Sequence, residues 1–404
     1  MKKLKYIGLI VLGVFIAQFS NAQFTLSGEF RPRTEISHGY KSLAFEDQDA
    51  STITAQRTRL NAGFTNEFIK TSLVLQDVRR WGNQPQLVTN EDYAVSVHQA
   101  WAEVLFSPEF SLKAGRQELV YDDSRIFGNV GWAHQARSHD VAIFKYEKDI
   151  KLHFGIAHHE NGDLTNGDYD GPDAYKDMQF VWFNNKWDKA SLSLLLLNNG
   201  VPAMEDDEQT TKFSQTLGGR VTTNIGEVKV ASNLYYQTGK HISGRDISAL
   251  NFLAEASMKA FTLGFEHLSG TDYNESDYKS FTPFYGTNHK FNGFMDYFYV
   301  GNHMGSVGLN DLYLKYKYTK DKIGFNAHLH YFAAAADIAA DTDNYLGTEL
   351  DLSLSWAVNP MANISFGLSS MFAGDSMEII KGGDSSATQY WGYVMLSVTP
   401  SFIK

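Results

Sequence analysis

From Phe24 onward the apolar residues recur at every second position. In FTLSGEFRPRTEI, Phe24, Leu26, Phe30 and Ile36 share one parity, while Glu29, Arg31, Arg33 and Glu35 share the other. That is the period-2 signature of a strand with one wet face. The pattern continues along the chain: Leu312, Leu314, Tyr316 and Tyr318 oppose Lys315 and Lys317; Phe325, Ala327, Leu329 and Tyr331 oppose Asn326, His328 and His330. Leu350, Leu352, Leu354 and Trp356 oppose Glu349, Asp351, Ser353 and Ser355, and the last strand runs from about Tyr390 to Val398.

The connections decide what such strands build. Short ones fall at Thr65-Asn66, Ser107-Pro108-Glu109, Lys148-Asp149, Asp188-Lys189, Ile225-Gly226, Lys259, Lys320-Asp321 and Asn359-Pro360-Met361. Between them lie long polar stretches near 37–52, 80–96, 120–136, 161–176, 200–212, 238–247, 270–308, 334–346 and 374–387, with 291–301 read as part of a loop. Eight turns alternating with nine loops predict an all-β transmembrane antiparallel up-and-down β-barrel of about 18 strands, with short periplasmic turns, long external loops, an apolar outside and a polar lumen. A soluble β-sandwich would need only about seven to nine strands and gives no reason for the alternation. A barrel of this size is too wide for its own side chains to fill, so it is expected to enclose water.

The N-terminus supplies the compartment. Lys2, Lys3 and Lys5 precede an apolar run from Ile7 to Ala17, and Ser20-Asn21-Ala22 offers a small-residue cleavage site. Residues 1–22 therefore read as a secretory signal peptide and 23–404 as an outer-membrane barrel. The apolar run is shorter than the roughly 20 residues that span a bilayer as a helix. There is no cysteine, which excludes disulfides, thiol catalysis and thiolate metal sites. The formal net charge of −11 makes nucleic acid an unsuitable partner. The expected partners are outer-membrane lipid and a small or oligomeric hydrophilic solute, with the chain acting as a monomer.

Of eleven arginines, nine lie between positions 31 and 137: Arg31, Arg33, Arg57, Arg59, Arg79, Arg80, Arg116, Arg125 and Arg137. An arginine facing mid-bilayer costs roughly 2–4 kcal/mol, and the parity of Arg31, Arg33, Arg57 and Arg59 points them into the lumen. Guanidinium forks suit carboxylates, sulfates and phosphates. They equally suit Glu29, Glu35, Asp77 and Glu103 on neighbouring strands, so an ion-pair ladder and a solute-attracting surface both fit.

The stretch GRQELVYDDSRIFGNVGWAHQARSHD, residues 115–140, mixes Arg116, Arg125 and Arg137 with Asp122, Asp123 and Asp140. Gly115-Arg116-Gln117, Tyr121, Arg125 with Phe127-Gly128, then Trp132, Arg137 and Asp140, reinforced by Gln76-Asp77-Val78-Arg79 and Gly82, resemble the alginate export family of outer-membrane barrels. The specific motifs cover 57–145, and elsewhere the match is one of architecture. The resemblance implies an eighteen-stranded channel with an arginine-rich lumen conducting an anionic polysaccharide. It makes Arg116 and Arg125 pore-lining and sets Arg137 at the external rim. The chain is shorter than the founding exporters and its loops are modest, which counts against a long plugging loop. Arg116 shares parity with Leu112 and Ala114, so a bulge must follow Ala114 or the strand has left the membrane there. The 120–136 loop could fold inward and set Asp122, Asp123 and Arg125 as a constriction that selects by charge.

The expected function is passive passage of hydrophilic, anionic or saccharide-like solutes through an arginine-lined pore, without cofactor chemistry. Asn166, Asp168, Asp170 and Asp177 imitate a calcium loop with altered ends, so structural Ca2+ is the one cofactor with a pattern behind it. His328 and His330 share a strand face and could ligate zinc, but no third ligand is identifiable from sequence. A barrel lipase or protease is the alternative of another class, although no Gly-x-Ser-x-Gly elbow or comparable signature is present. An adhesive or structural barrel would call for long apolar loops, and these are polar.

Overall fold

The structure is a computed structural model that describes residues 23–86, 95–160, 169, 175–287, 289–303 and 306–404. The leader of residues 1–22 lies outside the described residues. The strands are β1 (Gln23–His38), β2 (Ser51–Thr65), β3 (Ile69–Arg80), β4 (Val95–Leu105), β5 (Phe110–Gln117), β6 (His139–Glu147), β7 (Ile150–His158), β8 (Asp177–Lys186) and β9 (Ala190–Glu205). They continue as β10 (Glu208–Ile225), β11 (Val228–Lys240), β12 (Asp246–Met258), β13 (Phe261–Leu268), β14 (Leu309–Lys320), β15 (Ile323–Ala333), β16 (Tyr345–Asn359), β17 (Ala362–Ala373) and β18 (Gln389–Val398). After Thr399-Pro400, the short piece Ser401–Ile403 extends the last strand along β1.

Every strand pairs antiparallel with its sequence neighbour, and β1 pairs with β18 from Phe30↔Val398 to His38↔Tyr390, closing an 18-stranded barrel. Closure satisfies the backbone groups that an open edge would leave bare, which is the condition for strands to stand in hydrocarbon. The pleat sorts the side chains as the sequence alternation requires. Phe30, Leu60, Phe144, Leu194, Leu234, Leu263, Leu314 and Leu354 are exposed on the outer wall, and Arg31, Arg57, Asn233, Glu266, His330 and Glu349 are buried within. All eight short turns fall where the alternation breaks.

Two expectations about the loops are corrected. Residues 200–212 form no long loop: β9 and β10 run on to a two-residue turn at Asp206-Asp207, both at positive φ (50° and 63°). Such mirror-image turns follow strand twist and accept Asp. The second correction concerns the plug. Residues 118–138 and the described residues of 269–308 fold into the barrel, where Phe127, Tyr285, Met295, Tyr297 and Phe298 form a buried cluster with wall residues Phe180, Leu197 and Trp391. A short helix, α1 (Val300–His303), lies in the second loop, and α2 (Ser376–Lys381) in the last. The interior is thus partly a packed apolar core, not an open water column.

The two inward loops are joined. Gly128 N–H donates to Tyr285 O (2.8 Å) and Thr287 N–H to Ser124 O (2.9 Å), with Phe127 and Tyr285 stacked at 5.7 Å. Glycine is needed at the contact: a Cβ on Gly286 would lie 2.3 Å from Arg125 O, and one on Gly128 2.2 Å from Thr287 Oγ1.

Candidate functional site

The arginines of β1 and β2 do face inward, as their parity requires, and their partners are mostly backbone. Arg31 donates to the carbonyls of Gly131 (2.8 Å), Trp132 (3.1 Å) and Ala133 (3.2 Å). Arg33 donates to Trp132 O (2.8 Å), stands 4.1 Å over the Trp132 ring and pairs with Glu35. Arg57 binds Glu29 at 2.6 Å and reaches the carbonyls of Gly131, Ala133 and His134. Arg59 donates to Gln76 Oε1 (2.8 Å), and Gln76 donates in turn to Gln135 O (3.0 Å). This sector therefore grips residues 131–135 through their carbonyl groups. Glu29, Glu35 and Asp77 do pair with arginines, whereas Glu103 pairs with Lys145 (3.0 Å) and Ser111 (2.7 Å). Burial and the charges of Arg33, Arg31 and Arg57 push the His134 imidazole down to about 3, so it is neutral at pH 7.

The other end of the same loop crosses to the opposite wall. Arg125 makes a bidentate pair with Glu266 of β13 and donates to Asn292 Oδ1 (2.9 Å), with both charged side chains almost fully buried. Asp123 accepts from Arg220 of β10 (2.6 Å) and Asn233 of β11 (2.7 Å). Asp122 accepts from the Trp182 indole of β8 (3.2 Å). Burial lifts the Asp122 carboxyl, partly offset by hydrogen bonds from Ser193 and Trp182. The loop is in this way a bar across the lumen, braced by charge at both ends.

A chamber opens on each side of the bar. The one at the long-loop end holds about 720 Å³ and is lined by Arg33, Lys41, Arg79 and Arg80 against Glu35 and Asp296. The one at the short-turn end holds about 290 Å³ and is lined by Lys151, Lys186 and Arg220 against Asp122. Both linings carry more cations than acids in a chain whose net charge is −11, although Arg79, Lys151 and Arg220 are paired with Asp77, Glu147 and Asp123 just outside them. A solute feels chiefly the charges within a Debye length of about 8–10 Å, so the local sign governs.

Two placements differ from expectation. Arg116 does not line the pore: the β4–β5–β6 register runs without a bulge, so it points outward and pairs with Asp140 of β6 (2.9 Å), the two side chains 40% and 53% exposed. Its parity with Leu112 and Ala114 held, and a cross-strand carboxylate supplies the partner an outward arginine requires. Arg137 sits against the second loop, not on an open rim, donating to Gly286 O (3.0 Å), and burial lowers its pKa. Of the calcium pattern, Asn166, Asp168 and Asp170 lie outside the described residues, and Asp177 accepts from His158 (2.6 Å).

One arrangement bears on the hydrolase alternative. His98 Nε2 is 2.7 Å from Glu118 Oε1, and Ser138 Oγ is 3.2 Å from His98 Nδ1 and 3.5 Å from Nε2. A serine nearly equidistant from both ring nitrogens faces the carbon between them and is in line with neither lone pair, as a general base requires. Neither chamber is lined by Ser138.

No protein-family model and no curated protein matches the sequence. Solved structures do. Pseudomonas aeruginosa OccK5 (OpdH) is 13% identical over 94% of this chain and 98% of its own, with a TM-score of 0.60. OccK9 (OpdG) of the same organism is 13% identical with the same coverages and a TM-score of 0.61. Pseudomonas aeruginosa OpdK with vanillate is 11% identical over 93% of this chain and 99% of its own, with a TM-score of 0.59. At such identities the likeness establishes the barrel fold.

Proposed function

We propose that the protein is an outer-membrane channel for passive passage of small hydrophilic anions, carboxylates and acidic saccharides among them. The observation that carries this reading is the cation excess in the chambers on both sides of the inward loop. The apolar outer wall and closed sheet suit a lipid environment, and the sequence-level resemblance to alginate exporters points to anionic solutes. Vanillate, with which OpdK was crystallised, is itself a carboxylate. Opposed charges at the bar, Arg125 with Glu266 and Asp123 with Arg220, create a transverse field that favours solutes carrying a charge or a strong dipole.

The proposal is tested by uptake into liposomes containing the purified protein, comparing labelled glucuronate with glucose. Glucuronate enters faster, and Arg79→Gln with Arg80→Gln narrows the difference. Equal uptake of the two sugars would remove the anionic part of the proposal, and hydrolysis of lipid or peptide by protein with an intact Ser138, abolished in Ser138→Ala, would replace it with the enzyme reading.

A further inference from the structure

The sequence offers His328 and His330 as two potential metal ligands on one strand face. The fold brings a third. In the β15–β16 register His328 stands opposite Asp351 and His330 opposite Glu349, all on lumen-facing positions. One ligand atom from each of His328, His330 and Asp351 lies within 4.8 Å of the other two. His330 Nε2 is 3.9 Å from Asp351 Oδ2, too far for a hydrogen bond and close to what two ligands keep when an ion sits between them.

Three further features suit a metal better than a plain polar network. Asp351 Oδ2 has no nitrogen or hydroxyl donor among the described residues, only the neighbouring Glu349 carboxyl beside it, and the side chain is 0% exposed. Two buried carboxyls in contact cost free energy unless a shared proton or a cation sits between them. His328 Nδ1 is likewise without a partner there. The outer contacts also hold the set in position: His330 Nδ1 is 2.8 Å from Asp311 Oδ1, leaving Nε2 to face Asp351, and Ser369 Oγ donates to Asp351 Oδ1 (2.5 Å). A carboxylate behind a ligating histidine fixes its tautomer and raises its basicity. Glu349 is fully buried beside them and in side-chain contact with Asp351. Its Oε1 accepts from Met295 N–H (2.8 Å), which ties the second inward loop to the cluster.

The geometry points to a site for a divalent transition ion of the zinc type in the barrel wall, held by His328, His330 and Asp351. Two imidazoles and a carboxylate are a donor set for zinc rather than for calcium or magnesium, which take oxygen ligands. Tetrahedral bonds of about 2.0–2.1 Å set ligand atoms about 3.3 Å apart, so the cluster needs to close by no more than about 1.5 Å.

The test is zinc retention. Purified protein is equilibrated with Zn2+, dialysed against zinc-free buffer and assayed for metal, and Co2+ is loaded in parallel for its visible spectrum. The expected result is one zinc per chain and a Co2+ spectrum of a low-coordinate nitrogen and oxygen site. His328→Gln and Asp351→Asn weaken retention at least tenfold, and Asp311→Asn weakens it by about 10–100-fold through His330. Asp351→Asn keeps the bond from Ser369, and barrel folding of each variant is verified by heat-modifiable gel mobility. Wild-type protein that retains no zinc, or variants that fold and retain it undiminished, would overturn the site and leave a hydrogen-bonded His and carboxylate network in its place.

Discussion

Replacing Arg125 with methionine removes one end of the bar across the lumen and leaves the wall intact. Glu266 keeps Asn251 (2.9 Å) and Asn292 (3.0 Å) as donors but loses its only cationic partner among the described residues. Its side chain is 1% exposed, and that of Arg125 4%. Breaking a buried pair by removing one partner costs about 3–5 kcal/mol, because the remaining charge is uncompensated. With a factor of ten for each 1.4 kcal/mol, the undocked fraction of loop 118–138 rises by about 100-fold or more. Amide exchange followed by mass spectrometry reads that fraction directly, since Gly128 and Thr287 are protected by bonds between the two loops. Arg125→Met is expected to speed exchange in 118–138 by about that factor while the strands remain protected, and single-channel current becomes larger and noisier. The double variant Arg125→Met with Glu266→Leu restores most of the protection, because removing both partners of a buried pair is close to neutral. Unchanged exchange in the single variant would show that this pair does not hold the loop.

Acid acts on the same loops. Burial holds His134 and His303 at about 3, far below an exposed imidazole at about 6.5, so both are neutral in the docked state. The released state binds more protons between these values, and docking therefore weakens as pH falls from about 6.5 towards 3, by up to about 1.4 kcal/mol per pH unit for each group. Conductance noise and loop exchange should rise over that window and stay flat from pH 7 to 8; a flat response throughout would contradict the burial of these rings. Changing Arg31, Arg33, Arg57 and Arg59 to Gln should free residues 131–135 and reduce anion preference together, because the same guanidinium groups cap the carbonyls and supply the charge. A selectivity change without faster exchange would mean that they act on solute alone. Gly286→Val, which drives a side chain into the Arg125 carbonyl, should separate the two loops with the barrel still closed, seen as loss of protection at Gly128 without loss of heat-modifiable mobility.

The wall was legible in the sequence because a strand with one apolar face writes its register into alternate residues: Phe30 and Leu354 outside and Arg31 and Glu349 inside follow from parity alone. The turn at Asp206-Asp207 was not, since a run of acids reads as a polar loop until its backbone angles are known. Arg116, expected to line the pore, lies on the outer face because the register of β4, β5 and β6 is unbroken, and its partner Asp140 is visible only once β5 and β6 are paired. Arg31 binds carbonyls 100–102 residues away and Arg57, besides Glu29, carbonyls 74–77 residues away, and no periodicity signals a carbonyl. The aromatic density of FTPFYGTNHKFNGFMDYFYV, in a segment read as a polar loop, was the available sign that Phe281, Tyr285, Tyr297 and Phe298 pack inside the barrel. Asp351 reaches His328 and His330 only through strand pairing, which is why sequence spacing left the histidine pair without a third ligand.

The most direct test of the central claim is the reversal potential of the wild-type protein in a planar bilayer under a tenfold KCl gradient at low ionic strength. Cationic chambers on both sides of the bar predict a reversal potential of the sign that marks chloride as the preferred ion, declining as salt screens the walls. A potential of the opposite sign, or a folded barrel that passes no current, would contradict an anion-conducting channel.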